Sequence, residues 1–359
     1  MKKILIQVSS PIFANNAIFR DRDTNNMQVS FRELKKRFED FGYELTTADD
    51  IPVKESDGII FIDAVTMGNK PSFGIRLKRQ LKKLLGQEIY PLYPTRELYK
   101  EGLEASMRSK MLFIIWEGKS TYQQNFLEST WNKFDRILTW DDDLVDHSKF
   151  LKLILPIPPR DKRPDSVPFS EKKLLVNMSI NKYSSYKHEL YSARRKTINY
   201  FDSHYPNDFD LYGLRWERAV TRPQRLFSFF VKKHKTYRGM AEDKLGTFSH
   251  YKFCLCYENN GDANGYVTEK IFDALNAGTV PIYLGAPNIE EYVDADTFID
   301  RRQFKNDEEL AKFLVGMKEE EYNKYIEAGL RFIKSQKYDK FLPRYFADSV
   351  IKALNLRLG

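Results

Sequence analysis

Short apolar runs alternate with amphipathic stretches along most of this chain, and that alternation limits the fold more than any other feature. In the first half Ile4–Val8, Gly58–Ile62, Met111–Trp116 and Arg136–Trp140 read as strands. Between them, Ser30 with Glu33 three residues on forms a capping box, Leu34, Phe38 and Phe41 share one helical face, and Gly42 stops the helix. Beyond residue 170 the pattern resumes with strands at Lys173–Met178, Phe209–Tyr212, Tyr251–Tyr257 and Thr279–Leu284, and helices over Tyr186–Phe201 and from about Val267. From Asp307 onward the pattern is helical. Strand, helix, strand, repeated, predicts parallel sheets covered by helices.

A chain of 359 residues exceeds what one hydrophobic core usually serves. The segment PIPPRDKRPDSVPFS carries five prolines and no apolar periodicity, which forbids a regular element and marks the expected linker. The predicted organisation is therefore a first αβ domain over 1–155, a linker over 156–170, a second αβ domain over 171–335, and a helical segment over 336–359 that packs back on the first domain. The apolar run after Lys2 and Lys3 is too short for a signal-peptide core, and no stretch approaches the roughly 18 apolar residues of a membrane span. A cytoplasmic protein is expected. Cys254 and Cys256 point to the same side of a strand and read as reduced core residues, and the five histidines show no metal-ligand spacing.

In YKFCLCYENNGDANGYVTEKIFDALNAGTVPIYLG a buried strand runs into a polar, glycine-bearing loop and then a helix. Ligands of open αβ sheets sit there, beyond the carboxyl ends of strands. A helix N-terminus near Val267 offers free N–H groups and partial positive charge to a phosphate. Gly265 allows close backbone approach, Lys270 adds a full charge, and Glu269 can accept from ribose hydroxyls. Taken singly, Glu269 and Lys270 also fit a solvated first turn and Asn259 a plain turn residue. A second candidate is Glu117, a carboxylate where the apolar run Leu112–Trp116 opens into a loop; partial desolvation there raises a carboxyl pKa and suits a general base.

The ordered string Tyr257-Glu258-Asn259, Tyr266-Val267-Thr268-Glu269-Lys270, Gly278-Thr279-Val280-Pro281 and Gly285 resembles the donor-binding signature of the α1,3-fucosyltransferases, glycosyltransferase family 10. Tyr237-Arg238-Gly239 with Lys244, and Glu189-Leu190-Tyr191-Ser192 with Arg194, resemble the family's approach to the same site. The resemblance covers roughly residues 110–300. It implies a GT-B-like α/β fold, two Rossmann-like αβ domains facing across a cleft, and an inverting transfer of L-fucose from GDP-β-L-fucose to a glycan hydroxyl, in α1,3 linkage to an N-acetyllactosamine-type acceptor. By the same resemblance Glu117 matches the catalytic glutamate, and Arg194, with Arg195 as fallback, contacts the donor pyrophosphate. The donor-binding set it implies is Arg194, Lys244, Asn259, Tyr266, Glu269 and Lys270. Arg194, Lys270 and the helix N-terminus would hold the leaving GDP without an obligatory metal. The family's proline-rich stretch after the glutamate is replaced by Lys119-Ser120-Thr121-Tyr122, which bears on acceptor contacts. Surface-glycan or lipopolysaccharide synthesis is the implied setting.

Asp141-Asp142-Asp143 imitates a metal-binding DxD, but acids at a turn are usually solvated or cap a helix, and the resemblance gives them no metal role. The formal charge of +8 fits a polyanion, an anionic membrane surface or an anionic small molecule. The basic, phenylalanine-bearing stretch Leu214–Gly239 fits peripheral membrane contact and equally a loop flanking a phosphate site. A GT-B enzyme with another nucleotide sugar, and a basic polyanion-binding or membrane-binding protein, are the alternative readings; nucleic acid is not expected as a partner.

Overall fold

The computed structural model describes residues 2–20, 26–49, 51–67, 94, 96–160, 162–220 and 231–356. It divides into two compact units, Met1–Leu153 with Pro343–Gly359, and Ile154–Leu342. The helices used below are α1 (Asn26–Asp40), α2 (Leu98–Glu104), α3 (Tyr191–His204), α4 (Lys244–Ser249), α5 (Glu269–Ala277), α6 (Asp307–Gly316), α7 (Glu319–Phe332) and α8 (Pro343–Ala353).

The first unit is built on β1 (Lys2–Gln7), β2 (Tyr43–Thr47), β3 (Gly58–Ile62), β4 (Met111–Ile115), β5 (Arg136–Thr139) and β6 (Phe150–Lys152). Their order is β2-β1-β3-β4-β5-β6, with every neighbouring pair parallel. β3 and β4 are buried along their whole length, as a parallel sheet covered on both faces requires. On one face Phe31 of α1, Trp116 and Phe346 of α8 pack ring against ring at 5.5–5.9 Å. On the other, Phe134 stacks on Phe113 at 4.9 Å and tilts against Phe61 at 5.6 Å. Each fully buried ring of this kind stabilises by about 1.5–3 kcal/mol.

Ser30 lies inside α1 and is buried, so the helix does not open there. The stripe Phe31, Leu34, Phe38 is fully buried and needs a preceding helical turn to set Phe31 on the sheet; packing overrides the local cap signal. Gly42 does end the segment, at φ 77° with its N–H on the Glu39 carbonyl at 2.9 Å.

The second unit carries β7 (Lys173–Met178), β8 (Phe209–Tyr212), β9 (Tyr251–Tyr257), β10 (Val280–Leu284) and β11 (Ile299–Asp300), in the order β11-β10-β9-β7-β8 and parallel throughout. β9 divides its side chains by strict alternation: Cys254 and Cys256 join the core with Ile271, Phe272 and Tyr338, while Phe253, Leu255 and Tyr257 join that with Ile198, Phe201 and Leu310. Both cysteines are buried and free. The chain goes from β7 to β8 on one side and then places β9 on the other, so the strand order reverses between β7 and β9. That reversal opens a crevice at the carboxyl ends of these two strands.

The proline-rich segment 156–170 is part of this second unit. Arg160 bonds Asp273 of α5 at 2.7 Å, and Arg163 donates to the carbonyls of Asn276 and Leu275 at 2.9 and 3.0 Å, satisfying the helix's open C-terminal end. The helix expected over Tyr186–Phe201 is α3, which begins five residues later. Residues before it are held as a loop, with the Leu190 N–H on the Asn259 carbonyl at 2.9 Å and the Gly261 N–H on the His188 carbonyl at 3.0 Å. α8 ends the chain inside the first unit, and α6 and α7 belong to the second.

Candidate functional site

Glu258 is the hub of the second unit's crevice. It follows β9 directly and is 0% exposed, and its N–H continues the sheet by donating to the Leu284 carbonyl at 2.7 Å. Its carboxylate accepts from the Thr268 N–H and hydroxyl at 2.9 Å and from the Lys270 ammonium at 2.8 Å. The loop 259–267 is thereby clamped at both ends, and α5 opens at Glu269 with Thr268 before it in extended conformation. Gly285 makes room for the clamp, because a Cβ there would stand 2.6 Å from Glu258 Cγ. The Gly265 N–H is tied to Asn288 Oδ1 at 2.9 Å, and Tyr266 is buried.

Arg194 reaches the same place from α3. It is only 4% exposed; one terminal nitrogen donates to the carbonyls of Tyr257 and Glu258, the latter at 3.0 Å, and lies 3.4 Å from Asn259 Oδ1. Its Nε and other terminal nitrogen have no hydrogen-bond acceptor among the described residues. Arg195 points elsewhere, donating to the Lys182 carbonyl. Of the predicted donor set, Arg194, Asn259, Tyr266, Glu269 and Lys270 gather at this strand-to-helix turn. Lys244 sits on neighbouring α4 and forms an ion pair with Asp273 of α5 at 2.6 Å, an acid it shares with Arg160.

The charges here are held ionised against burial. Burial pushes the Lys270 pKa down, but Glu258 and Glu269 outweigh it and raise it overall, with Arg194 opposing. Burial likewise works against Lys244, yet Asp273 and Glu269 hold it above an ordinary lysine. Glu269 is drawn down to about 2, because Lys270 and Lys244 overcome the effect of its own desolvation. Arg194 is shifted down, chiefly by burial. A partly exposed lysine, a buried arginine with donors to spare and the first turn of a nine-residue helix form a cationic cradle suited to a diphosphate.

In the first unit Glu117 stands one residue beyond Trp116 after β4, half-buried. Its N–H and that of Trp116 donate to Asp63 Oδ1 at 3.1 and 2.9 Å, and Asn125 Nδ2 donates to the same oxygen at 2.6 Å. Desolvation, abetted by Glu117, lifts the Asp63 pKa to about 7 despite the hydrogen bonds it accepts. Tyr122 is raised as well, first by burial and then by Asp63 and Glu117. Within the acidic run, Asp142 pairs with Lys152 at 2.5 Å and Asp141 accepts from the Asp143 N–H at 3.1 Å.

Part of the basic stretch is neutralised inside the second unit. Lys232 and His234 face buried Asp202 at 3.1 and 3.6 Å, and Arg238 pairs with buried Asp210 at 2.6 Å. Residues 221–230, with Arg222, Arg225, Phe227, Phe229 and Phe230, lie outside the described residues. The linear reading passed over Glu258 as a site residue, and also Asp63 and Asn125. Glu258 and Asp63 each follow a buried strand, the same signal that singled out Glu117.

Residues 175–339 match the description "Glycosyltransferase family 10 (fucosyltransferase) C-term". Among curated proteins, the α-(1,4)-fucosyltransferase of Arabidopsis thaliana is 47% identical over 66 residues, 18% of this chain and 16% of that protein. The human α-(1,3)-fucosyltransferase 7 is 43% identical over 82 residues, 22% and 24% of the two chains. The α-(1,3)-fucosyltransferase of Helicobacter pylori is 42% identical over 73 residues, 20% and 15%. The matches thus span less than a quarter of these relatives' own length. Among solved structures, an α1,3-fucosyltransferase with GDP-fucose superposes with TM-score 0.52 at 15% identity, covering 99% of this chain and 90% of the other. T4 phage β-glucosyltransferase gives 0.51 at 11% identity, over 99% and 100%. These likenesses show the fold: two parallel αβ sheets of GT-B type. Over residues 175–339 this chain is similar in sequence to the C-terminal region of glycosyltransferase family 10, the fucosyltransferases.

Proposed function

We propose that the chain transfers L-fucose from GDP-β-L-fucose to a hydroxyl of an acceptor glycan, with inversion at the anomeric carbon and in α1,3 linkage to an N-acetyllactosamine-type sugar. The observation that carries this reading is the gathering of Arg194, Lys270 and the N-terminus of α5 at the strand-order reversal between β7 and β9. The cradle receives the diphosphate, with Arg194 and Lys270 supplying the charge stabilisation for the departing GDP that a divalent ion supplies in other transferases. Glu269 and Asn259 face the nucleoside hydroxyls, and Tyr266 with Lys244 completes the donor set. Glu117 takes the proton of the acceptor hydroxyl as its oxygen attacks the anomeric carbon. The new C–O bond forms as the bond to the GDP oxygen breaks, and GDP leaves as the anion.

Glu117→Gln separates the two halves of this reading. Replacing a general base lowers turnover by about 10²–10⁴-fold, while GDP-fucose binding, measured by calorimetry, stays within about twofold because the substitution leaves donor contacts alone. A Glu117→Gln protein that turns over at the parental rate contradicts the assignment of the base.

A further inference from the structure

Asp63 is a buried carboxylate with an unusual backbone. It follows β3 at φ 58°, a left-handed conformation rare outside glycine, asparagine and aspartate, and is 5% exposed. The turn swings its side chain alongside the loop that leaves β4, the strand paired with β3. The Trp116 and Glu117 N–H groups, where that loop starts, converge on its Oδ1 at 2.9 and 3.1 Å. Asn125 completes the knot: its Nδ2 donates to the same Oδ1 at 2.6 Å and to the Glu117 carbonyl at 3.1 Å, and its Oδ1 accepts from the Ala64 N–H at 2.7 Å. Both the N–H and the C=O of Glu117 are thus anchored, so the direction in which its side chain leaves the sheet is fixed from the neighbouring strand.

We propose that Asp63 is the positioning residue of Glu117, its Oδ1 holding the Trp116–Glu117 peptide so that the Glu117 carboxylate is aimed at the acceptor hydroxyl. This rests on Glu117 being the base. The role uses one oxygen as an acceptor; the other oxygen takes no hydrogen bond among the described residues. An asparagine, which tolerates the left-handed backbone and keeps an acceptor oxygen, can therefore stand in. A glycine also tolerates that backbone but removes the acceptor.

The test compares Asp63→Asn, Asp63→Gly and Glu117→Gln with the parent in steady-state transfer from GDP-fucose to a panel of N-acetyllactosamine and N-acetylglucosamine acceptors. Asp63→Gly is expected to lower kcat by about tenfold or more with KM for GDP-fucose within about twofold, since a base misaimed by about an ångström loses rate without loss of donor binding. Asp63→Asn is expected to keep kcat within about threefold of the parent. If Glu117→Gln is inactive but Asp63→Gly turns over like the parent, or Asp63→Asn falls as far as Asp63→Gly, the positioning role is wrong while the base assignment stands. If Glu117→Gln remains fully active, or the parent fucosylates no acceptor, the reading of the site fails and this inference with it. A fall in GDP-fucose binding equal to the fall in kcat would mark Asp63 as a purely structural residue and also overturn the proposal.

Discussion

Asp63, Glu117 and Glu258 are three carboxylates at the ends of buried strands, and their surroundings give each a different part. Glu258 is matched by Lys270 and Thr268 and serves as a clamp. Asp63 accepts hydrogen bonds but faces no cation in an ion pair among the described residues, so desolvation dominates and lifts its pKa to about 7. An acid whose folded pKa is raised binds its proton more tightly folded than unfolded. Its favourable contribution is full at pH below the unfolded value and is lost as pH rises toward 7. Relative to Asp63→Asn, which does not titrate, the parent should therefore lose stability at about 1.4 kcal/mol per pH unit across that window. Urea unfolding of both proteins at pH 5 and pH 8 reads the difference directly; an unchanged gap contradicts the raised pKa. Glu269, held near 2, works the opposite way, adding stability above the unfolded glutamate value and losing it only in strong acid. The strand-end rule that selected Glu117 applies equally to the acid after GIIFI and the acid after CLCY. Whether such an acid turns inward or outward depends on the next strand over, which a linear reading does not contain.

At the scale of elements, the continuous apolar runs were legible: β3, β7, β8 and β9 have the bounds the sequence predicts. β2, β6 and β11 were not, because YELTT and FLK lack a continuous apolar run and Ile299–Asp300 is two residues long. Helix starts shifted wherever a tertiary partner competes, as at α3, where residues 188 and 190 bond the 259–261 loop instead of entering the helix. The C-terminus of α5 is the opposite case, since local chemistry decides it. Gly278 stands at φ 70° and ψ 40°, its N–H on the Leu275 carbonyl at 3.2 Å, with Arg163 beyond. Gly278→Ala should lower the stability of the protein by about 1–2 kcal/mol without changing KM for GDP-fucose, because the strain lies at the end of α5 remote from the cradle. Thermal unfolding with and without GDP-fucose measures both; an unchanged melting temperature would mean the left-handed cap is not maintained.

At the scale of the whole molecule, the first unit is discontinuous in sequence. α8 rejoins it after the entire second unit, with Phe346 against Phe31 and Trp116 and an Arg37–Asp348 ion pair at 2.8 Å. An apolar stripe at the end of a chain announces that it needs a surface, not which surface. The net charge of +8 is likewise a sum over different uses: Lys232 and Arg238 answer buried acids, while Arg194 and Lys270 surround the candidate donor site. No described helix is long and apolar enough to cross a membrane. The central claim, that this cradle serves transfer of fucose from GDP-fucose, is met most directly by incubating the whole chain with GDP-fucose or GDP-mannose and the acceptor panel, then measuring GDP release and the linkage of any product. The account predicts an α1,3-fucosylated product and GDP with GDP-fucose alone; turnover with GDP-mannose and none with GDP-fucose would contradict it.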